Sequence, residues 1–285
     1  MSQTIKLIEC PRDAMQGIHE FIPTDLKAKY INALLKVGFD TIDFGSFVSA
    51  KAIPQLKDTA ELVKKLDLTN TKSKLLAIVA NTRGAQDACQ FEEINYLGFP
   101  FSVSETFQQR NTNSSIQESL VKVEEIQNLC AKNNKKAVLY LSMGFGNPYG
   151  DTWNLEILSH WTEKLIDLDV EILSLADTIG VSTSTKINEI YPYLTQKYPT
   201  IEWGIHLHST PQQSLEKIQA AFTSGCTRFD SAIKGFGGCP MAADDLTGNI
   251  ATENVITYLK QIKGNISIDE NEFAKALSVA DEVFV

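Results

Sequence analysis

The chain has 285 residues, 43% of them hydrophobic, with 26 Lys and Arg against 35 Asp and Glu. The net charge of −9 argues against general nucleic-acid binding, which needs positive charge to displace counterions. The apolar share supports a sizeable core, and no apolar run approaches the about 20 residues of a membrane span. The opening MSQTIKLIECPRD has no basic stretch followed by an apolar one, so no secretory signal is expected. Cys10, Cys89, Cys130, Cys226 and Cys239 are scattered, odd in number and free of any CxxC pair. That spacing speaks against a disulfide framework or a cysteine-rich zinc module and for a reducing, cytoplasmic setting.

In chain order, short β-type runs recur at 5–10, 39–45, 75–81, 94–102, 137–143, 170–177, 201–208 and 228–235. Amphipathic helical stretches lie between them. Residues 26–38 carry Leu26, Tyr30, Ile31, Leu34 and Leu35 at helical spacing, and 115–133 carry Leu120, Val123, Ile126, Leu129 and Cys130. Residues 154–169 and 184–198 continue the series. No low-complexity linker or composition shift marks a boundary, so residues 1–285 read as a single domain. Eight strands alternating with helices over about 250 residues is the count of an α/β TIM barrel, a (β/α)8 fold, here with extra C-terminal helices. A doubly wound sheet is the competitor. It would show a Gly-rich phosphate loop after an early strand, and strand one leads instead into CPRDAMQG.

In a barrel, chemistry collects at the C-terminal ends of the strands. Polar residues gather there: Arg12, Asp13 and Gln16 after strand one, Asp43 and Ser46 at strand two, and Asn81 at strand three. Asp177 and Thr178 end strand six, and His206 and His208 end strand seven. Side chains two apart on a strand share a face, so the two histidines project together and suit one cation. Asp13 and Asn249 are available oxygen donors. Two imidazoles, a carboxylate and an amide suit Mg2+ or Mn2+, with Zn2+ or Co2+ admissible in the same cage. His19 and His160 have no such context. After strand eight comes the glycine-rich run Gly235-Phe236-Gly237-Gly238-Cys239-Pro240, whose backbone can approach a site closely or move over it. Its Cys239 reads as exposed when the loop opens, whereas Cys10, Cys130 and Cys226 read as core.

Pro11-Arg12-Asp13-Ala14-Met15-Gln16, Ser46-Phe47-Val48-Ser49, Asp177-Thr178-Ile179-Gly180, His206-Leu207-His208, Gly237-Gly238-Cys239-Pro240 and Gly248-Asn249-Ile250-Ala251-Thr252-Glu253 occur in that order. This set resembles the DRE-TIM metallolyases, and within them the 3-hydroxy-3-methylglutaryl-CoA lyase branch, from about residue 5 onward. The resemblance implies Asp13, His206, His208 and Asn249 as metal ligands and Arg12 facing the thioester carbonyl. It makes Cys239 the mobile-loop cysteine, and has Gln16, Asp43, Ser46 and Asp177 line the cavity.

The implied reaction is a retro-Claisen cleavage of 3-hydroxy-3-methylglutaryl-CoA to acetyl-CoA and acetoacetate. His206 or Asp177 would act as base and Cys239 as proton donor. The expected partners are an acyl-CoA substrate and a second copy in a homodimer; the sequence does not locate the CoA pocket, and Lys51, Arg83 and Arg110 are candidates for its phosphates that read equally as solvated surface. The chain departs from the lyase pattern at Ala14, Asp43, Asn147, Ser209 and Met241, which leaves the acyl group open. Acetyl-CoA-dependent 2-oxoacid synthases, 4-hydroxy-2-oxoacid aldolases and a non-catalytic barrel scaffold are the alternatives.

Overall fold

The computed structural model describes residues 4–238 and 247–284. Cys239 and Met241 therefore lie outside the described residues. Among those described, eight parallel strands close into a barrel in sequence order. They are β1 (Lys6–Glu9), β2 (Thr41–Ser46), β3 (Lys74–Ile78), β4 (Ile94–Ser102), β5 (Lys136–Ser142), β6 (Ile172–Asp177), β7 (Glu202–Leu207) and β8 (Arg228–Ser231). Closure runs through β1 and β8, with Lys6 opposite Arg228 and Glu9 opposite Ser231. Every strand expected from the sequence is present. The largest trim is in β8, where the chain leaves the sheet after Ser231 and enters a short 3-10 turn at Ile233–Gly235.

Period-two patterning decides what faces where. On β7, Trp203, Ile205 and Leu207 join the large core between sheet and helices. The alternate residues Gly204 and His206 turn into the barrel. On β6, Leu173 and Leu175 pack outward, and Asp177 shares their parity. The barrel interior has its own apolar plug, made by Leu76, Ile78, Tyr96, Val138, Tyr140 and Ile172.

The helices follow α1 (Pro11–Gln16), α2 (Thr24–Leu34), α3 (Thr59–Leu62), α4 (Thr82–Ala88), α5 (Glu105–Thr112) and α6 (Ile116–Lys132). Then come α7 (Leu155–Ile166), α8 (Ser184–Lys197), α9 (Pro211–Thr223), α10 (Thr252–Gln261) and α11 (Glu270–Val283). Helix α6 starts at a capping box: Ser115 Oγ accepts from Glu118 N, and the Glu118 carboxylate accepts from Ser115 N. Such a cap contributes about 1 kcal/mol. Its apolar face buries Leu120, Val123, Ile126 and Cys130, as the spacing requires. Helices α4 and α7 open on Asn81 and Asn154 caps. Helix α11 closes the fold beside α2, with Tyr30 edge-on to Phe284 at 5.7 Å and Phe39 edge-on to Phe273 at 6.3 Å.

Two features aim groups at the strand ends. Pro11 occupies the first turn of α1, where a missing N–H costs nothing, so a helix starts directly after β1 and carries Arg12 and Asp13 across the barrel mouth. A bulge in β2 shifts the register between Asp43 and Gly45. Ser46 is fixed by donation from its N to Thr59 Oγ1 and from its Oγ to Ile78 O.

Candidate metal and active site

A cleft of about 460 Å³ opens at the C-terminal ends of the strands. Its inner end is lined by Arg12, Asp13, Gln16, Ser46, His206 and His208, and its outer end by Arg110, Asn113 and Lys122.

Arg12 sits in a rigid clamp. Its Nε donates to Asp43 at 3.2 and 3.0 Å and its Nη2 to Asp43 Oδ2 at 2.5 Å. Its Nη1 donates to Asp13 Oδ1 at 2.9 Å and to Gln16 Oε1 at 3.0 Å. Gln16 Nε2 returns a bond to Asp13 Oδ1 at 2.8 Å. Burial opposes the charge on Arg12, but Asp43 and Asp13 outweigh it and hold the guanidinium well above its ordinary pKa. Burial alone would raise Asp13; Arg12, His206 and His208 reverse this and bring it down to about 2. Asp43 is fully buried, and desolvation lifts it to about 6 against the pull of Arg12.

Across the mouth, the two imidazoles converge, with Nε2 atoms 3.1 Å apart and ring centroids 5.1 Å apart. Donor atoms of Asp13, His206 and His208 all lie within 4.8 Å of one another. Asn249 joins them through an isolated antiparallel bridge to His208. Its Nδ2 donates to Asp13 Oδ2 at 2.6 Å and to Phe236 O at 2.9 Å. The donor chemistry fits a divalent cation. In their neutral forms the two imidazoles, facing each other through Nε2, would present converging lone pairs beside an ionised carboxylate, and the buried Nδ1 of His208 has no protein partner among the described residues. Burial and the neighbouring His206 pull His208 down to about 4, so it stands neutral, the form that ligates metal. Burial also opposes charge on His206, but Asp230 and Asp13 carry its pKa above the ordinary value.

The glycine loop covers this cluster. Gly237 has φ of +102°, and a Cβ there would meet Asn249 Nδ2 at 2.6 Å and Asp13 O at 2.8 Å, so only glycine fits. Gly238 O lies 3.4 Å from Gln16 Nε2. Cys239 follows immediately, outside the described residues.

Two sequence expectations need correcting. Asp177 does not line the cleft. Its parity turns it outward, where it accepts from Lys217 Nζ at 2.9 Å, from Ser182 N at 3.1 Å and from Ser182 Oγ. Lys217 Nζ also donates to Gly180 O and His208 O, tying the ends of β6 and β7 together. Asp43 likewise lies beneath Arg12 rather than on the cleft wall. Of the three candidate cations for CoA, Arg110 lines the cleft, and Lys51 and Arg83 are exposed and not among its lining residues.

Asn147 holds its own loop, accepting from Tyr149 N and Asp151 N and donating to Asp151 O. Sequence reasoning missed Asp230, which meets His206 Nδ1 at 3.3 Å, and Lys217. A carboxylate inside an apolar strand was the available signal for Asp230. Lys217 gave none, because a lysine in an amphipathic helix reads as solvated.

Fold and site together define a barrel protein with a carboxylate–histidine cluster at the mouth. The model of the HMGL-like family matches residues 5–280, so the chain belongs to that family. It is 33% identical over 262 residues to the hydroxymethylglutaryl-CoA lyase of Bacillus subtilis, covering 91% of this chain and 87% of the relative. It is 31% identical to the human cytoplasmic 3-hydroxy-3-methylglutaryl-CoA lyase, covering 94% of this chain and 72% of the relative. The crystal structure of the Bacillus subtilis HMG-CoA lyase superposes with a TM-score of 0.91 at 31% identity, over 98% of this chain and 93% of that one. An HMG-CoA lyase from Acinetobacter baumannii, solved with coenzyme A and 3-methylmalate, gives 0.90 at 27% identity over 98% and 91%.

Proposed function

We propose that this chain is a divalent-metal-dependent carbon–carbon lyase that cleaves 3-hydroxy-3-methylglutaryl-CoA to acetyl-CoA and acetoacetate. One observation carries the reading: Asp13, His206 and His208 converge within one cleft beside the clamped guanidinium of Arg12. The relatives named for this activity support the substrate. Asp13, His206 and His208 would hold the cation, with the amide oxygen of Asn249 completing the set. When bound, the ion supplies Lewis acidity toward the hydroxyl and carboxylate oxygens of the substrate.

Arg12, fixed by Asp43, Asp13 and Gln16, keeps one Nη2–H for the thioester oxygen, where negative charge grows as the C2–C3 bond breaks. Because the clamp exists before substrate arrives, no reorganisation is needed at the transition state. Of the two groups considered as base, Asp177 is engaged by Lys217 and Ser182 outside the cleft, and His206 has no free nitrogen once its Nε2 holds the cation and its Nδ1–H meets Asp230. Ser46 and Gln16 line the walls around the acyl group. Cys239, the residue after Gly238 in the sequence, protonates the departing acetyl carbon.

Arg110, beside Tyr149 at 5.1 Å, and Lys122 form the cationic end of the cleft toward CoA phosphates. Mg2+ or Mn2+ is the preferred metal, Zn2+ or Co2+ the second choice. The chain works as one domain, in the cytoplasm and as a homodimer. Among the described residues no helix is long and apolar enough to cross a membrane. The test is product analysis with 3-hydroxy-3-methylglutaryl-CoA as substrate. Equimolar acetyl-CoA and acetoacetate support the lyase. Condensation of acetyl-CoA with 2-oxoacids, or cleavage only of 4-hydroxy-2-oxoacids, replaces it with a synthase or an aldolase.

A further inference from the structure

Beneath the His206–His208 pair lies a second polar layer that the reaction above does not use. Asp230 stands on β8 directly across from His206 on β7, and its Oδ2 lies 3.3 Å from His206 Nδ1. The Asp230 carboxylate is fully buried. Two residues earlier on the same face of β8 is Arg228, 1% exposed. Its nearest ion-pair oxygen among the described residues is Glu202 Oε1 at 3.6 Å. Room for this guanidinium exists because β7 carries Gly204: an added Cβ would meet Arg228 Cδ at 3.0 Å and Nε at 3.2 Å. A full-length arginine inside a barrel is expensive unless its charge balances another.

The same cluster brings Cys10 Sγ within 4.8 Å of donor atoms of His206 and Asp230. Burial pushes that thiol far above its usual range, so it stays protonated and is a poor ligand for a second ion.

We propose that Asp230 is the positioning residue of the metal centre. It takes the Nδ1–H of His206, fixes that tautomer and ring angle, and so presents the Nε2 lone pair to the cleft. A ligating imidazole held on its far nitrogen by a carboxylate is both oriented and made more basic. The proposal rests on the metal-site reading given above, and its test keeps the two separable.

The first readout is the tautomer of His206 in metal-free protein at pH 8.5, from long-range 15N–1H NMR of the ring. Wild type should show Nδ1–H, and Asp230→Ala should shift population toward Nε2–H. The second is Mn2+ affinity by calorimetry, expected to fall about 10–100-fold in Asp230→Ala. Asp230→Asn, which keeps the volume and an acceptor oxygen, should lose less, and it serves if the alanine variant fails to fold. An unchanged tautomer, or unchanged Mn2+ affinity in a folded Asp230 variant, overturns the proposal. Wild type that binds no Mn2+ removes the metal reading instead, while the tautomer still decides the role of Asp230.

Discussion

Glu9 is the most direct place to test the electrostatics of this barrel. It is fully buried on β1, and desolvation raises it from 4.5 to about 8. Its Oε1 accepts from Ile233 N at 2.8 Å, and its Oε2 lies 2.6 Å from Thr252 Oγ1, which lies 2.9 Å from Ser231 Oγ. A protonated Glu9 makes that chain consistent, because its O–H donates to Thr252 and Thr252 donates onward to Ser231. Between pH 4.5 and about 8 the folded chain holds a proton that the unfolded chain has released. Stability is therefore fully present below the unfolded value and falls as pH rises through the window. The slope reaches ~1.4 kcal/mol per pH unit, or about 4–5 kcal/mol across the whole window. Glu9→Gln copies the neutral form, with Oε1 accepting and Nε2 donating. Urea denaturation from pH 5 to pH 8.5 should show wild type losing stability relative to Glu9→Gln, the gap widening with pH. Parallel profiles for the two proteins would refute a neutral Glu9.

Arg12→Lys keeps the charge but loses the planar fork that Asp43 and Asp13 hold, and kcat/KM should fall on the order of 10²–10³-fold in steady-state assays. Lys217→Met strands the buried carboxylate of Asp177, at a cost of about 3–5 kcal/mol read from the urea midpoint. Cys239→Ala should lower turnover by orders of magnitude with little change in Mn2+ affinity; full turnover in that variant removes the cysteine from the mechanism.

The fold was legible because its signals are local and repeated. The β-type run placed β4 at 94–102, where the strand runs Ile94–Ser102, and helical spacing placed α6 within a residue at each end. His206 and His208 were legible for the same reason, since two residues on one strand need no knowledge of the rest of the chain. Asp13 and Asn249 come together with them from 236 residues apart along the chain, and spacing alone could not report that closure.

What the sequence hid is parity at strand ends and burial of charge. Asp177 reads like Asp13, a carboxylate where a strand finishes, yet one residue of register turns it to Lys217. Asp43 reads as a wall of the site and proves to be the anchor of Arg12. Arg228 and Asp230 drew no reading beyond the eighth β-type run, because nothing in composition says that Gly204 clears space for a buried guanidinium.

The central claim is that Asp13, His206 and His208 hold a divalent ion required for C–C cleavage. Acetoacetate release from 3-hydroxy-3-methylglutaryl-CoA, measured on chelated protein before and after Mn2+ is restored, tests it directly. The account predicts no product after chelation, recovery with Mn2+ in wild type, and no recovery in His208→Ala. Full activity in the chelated wild type would contradict it.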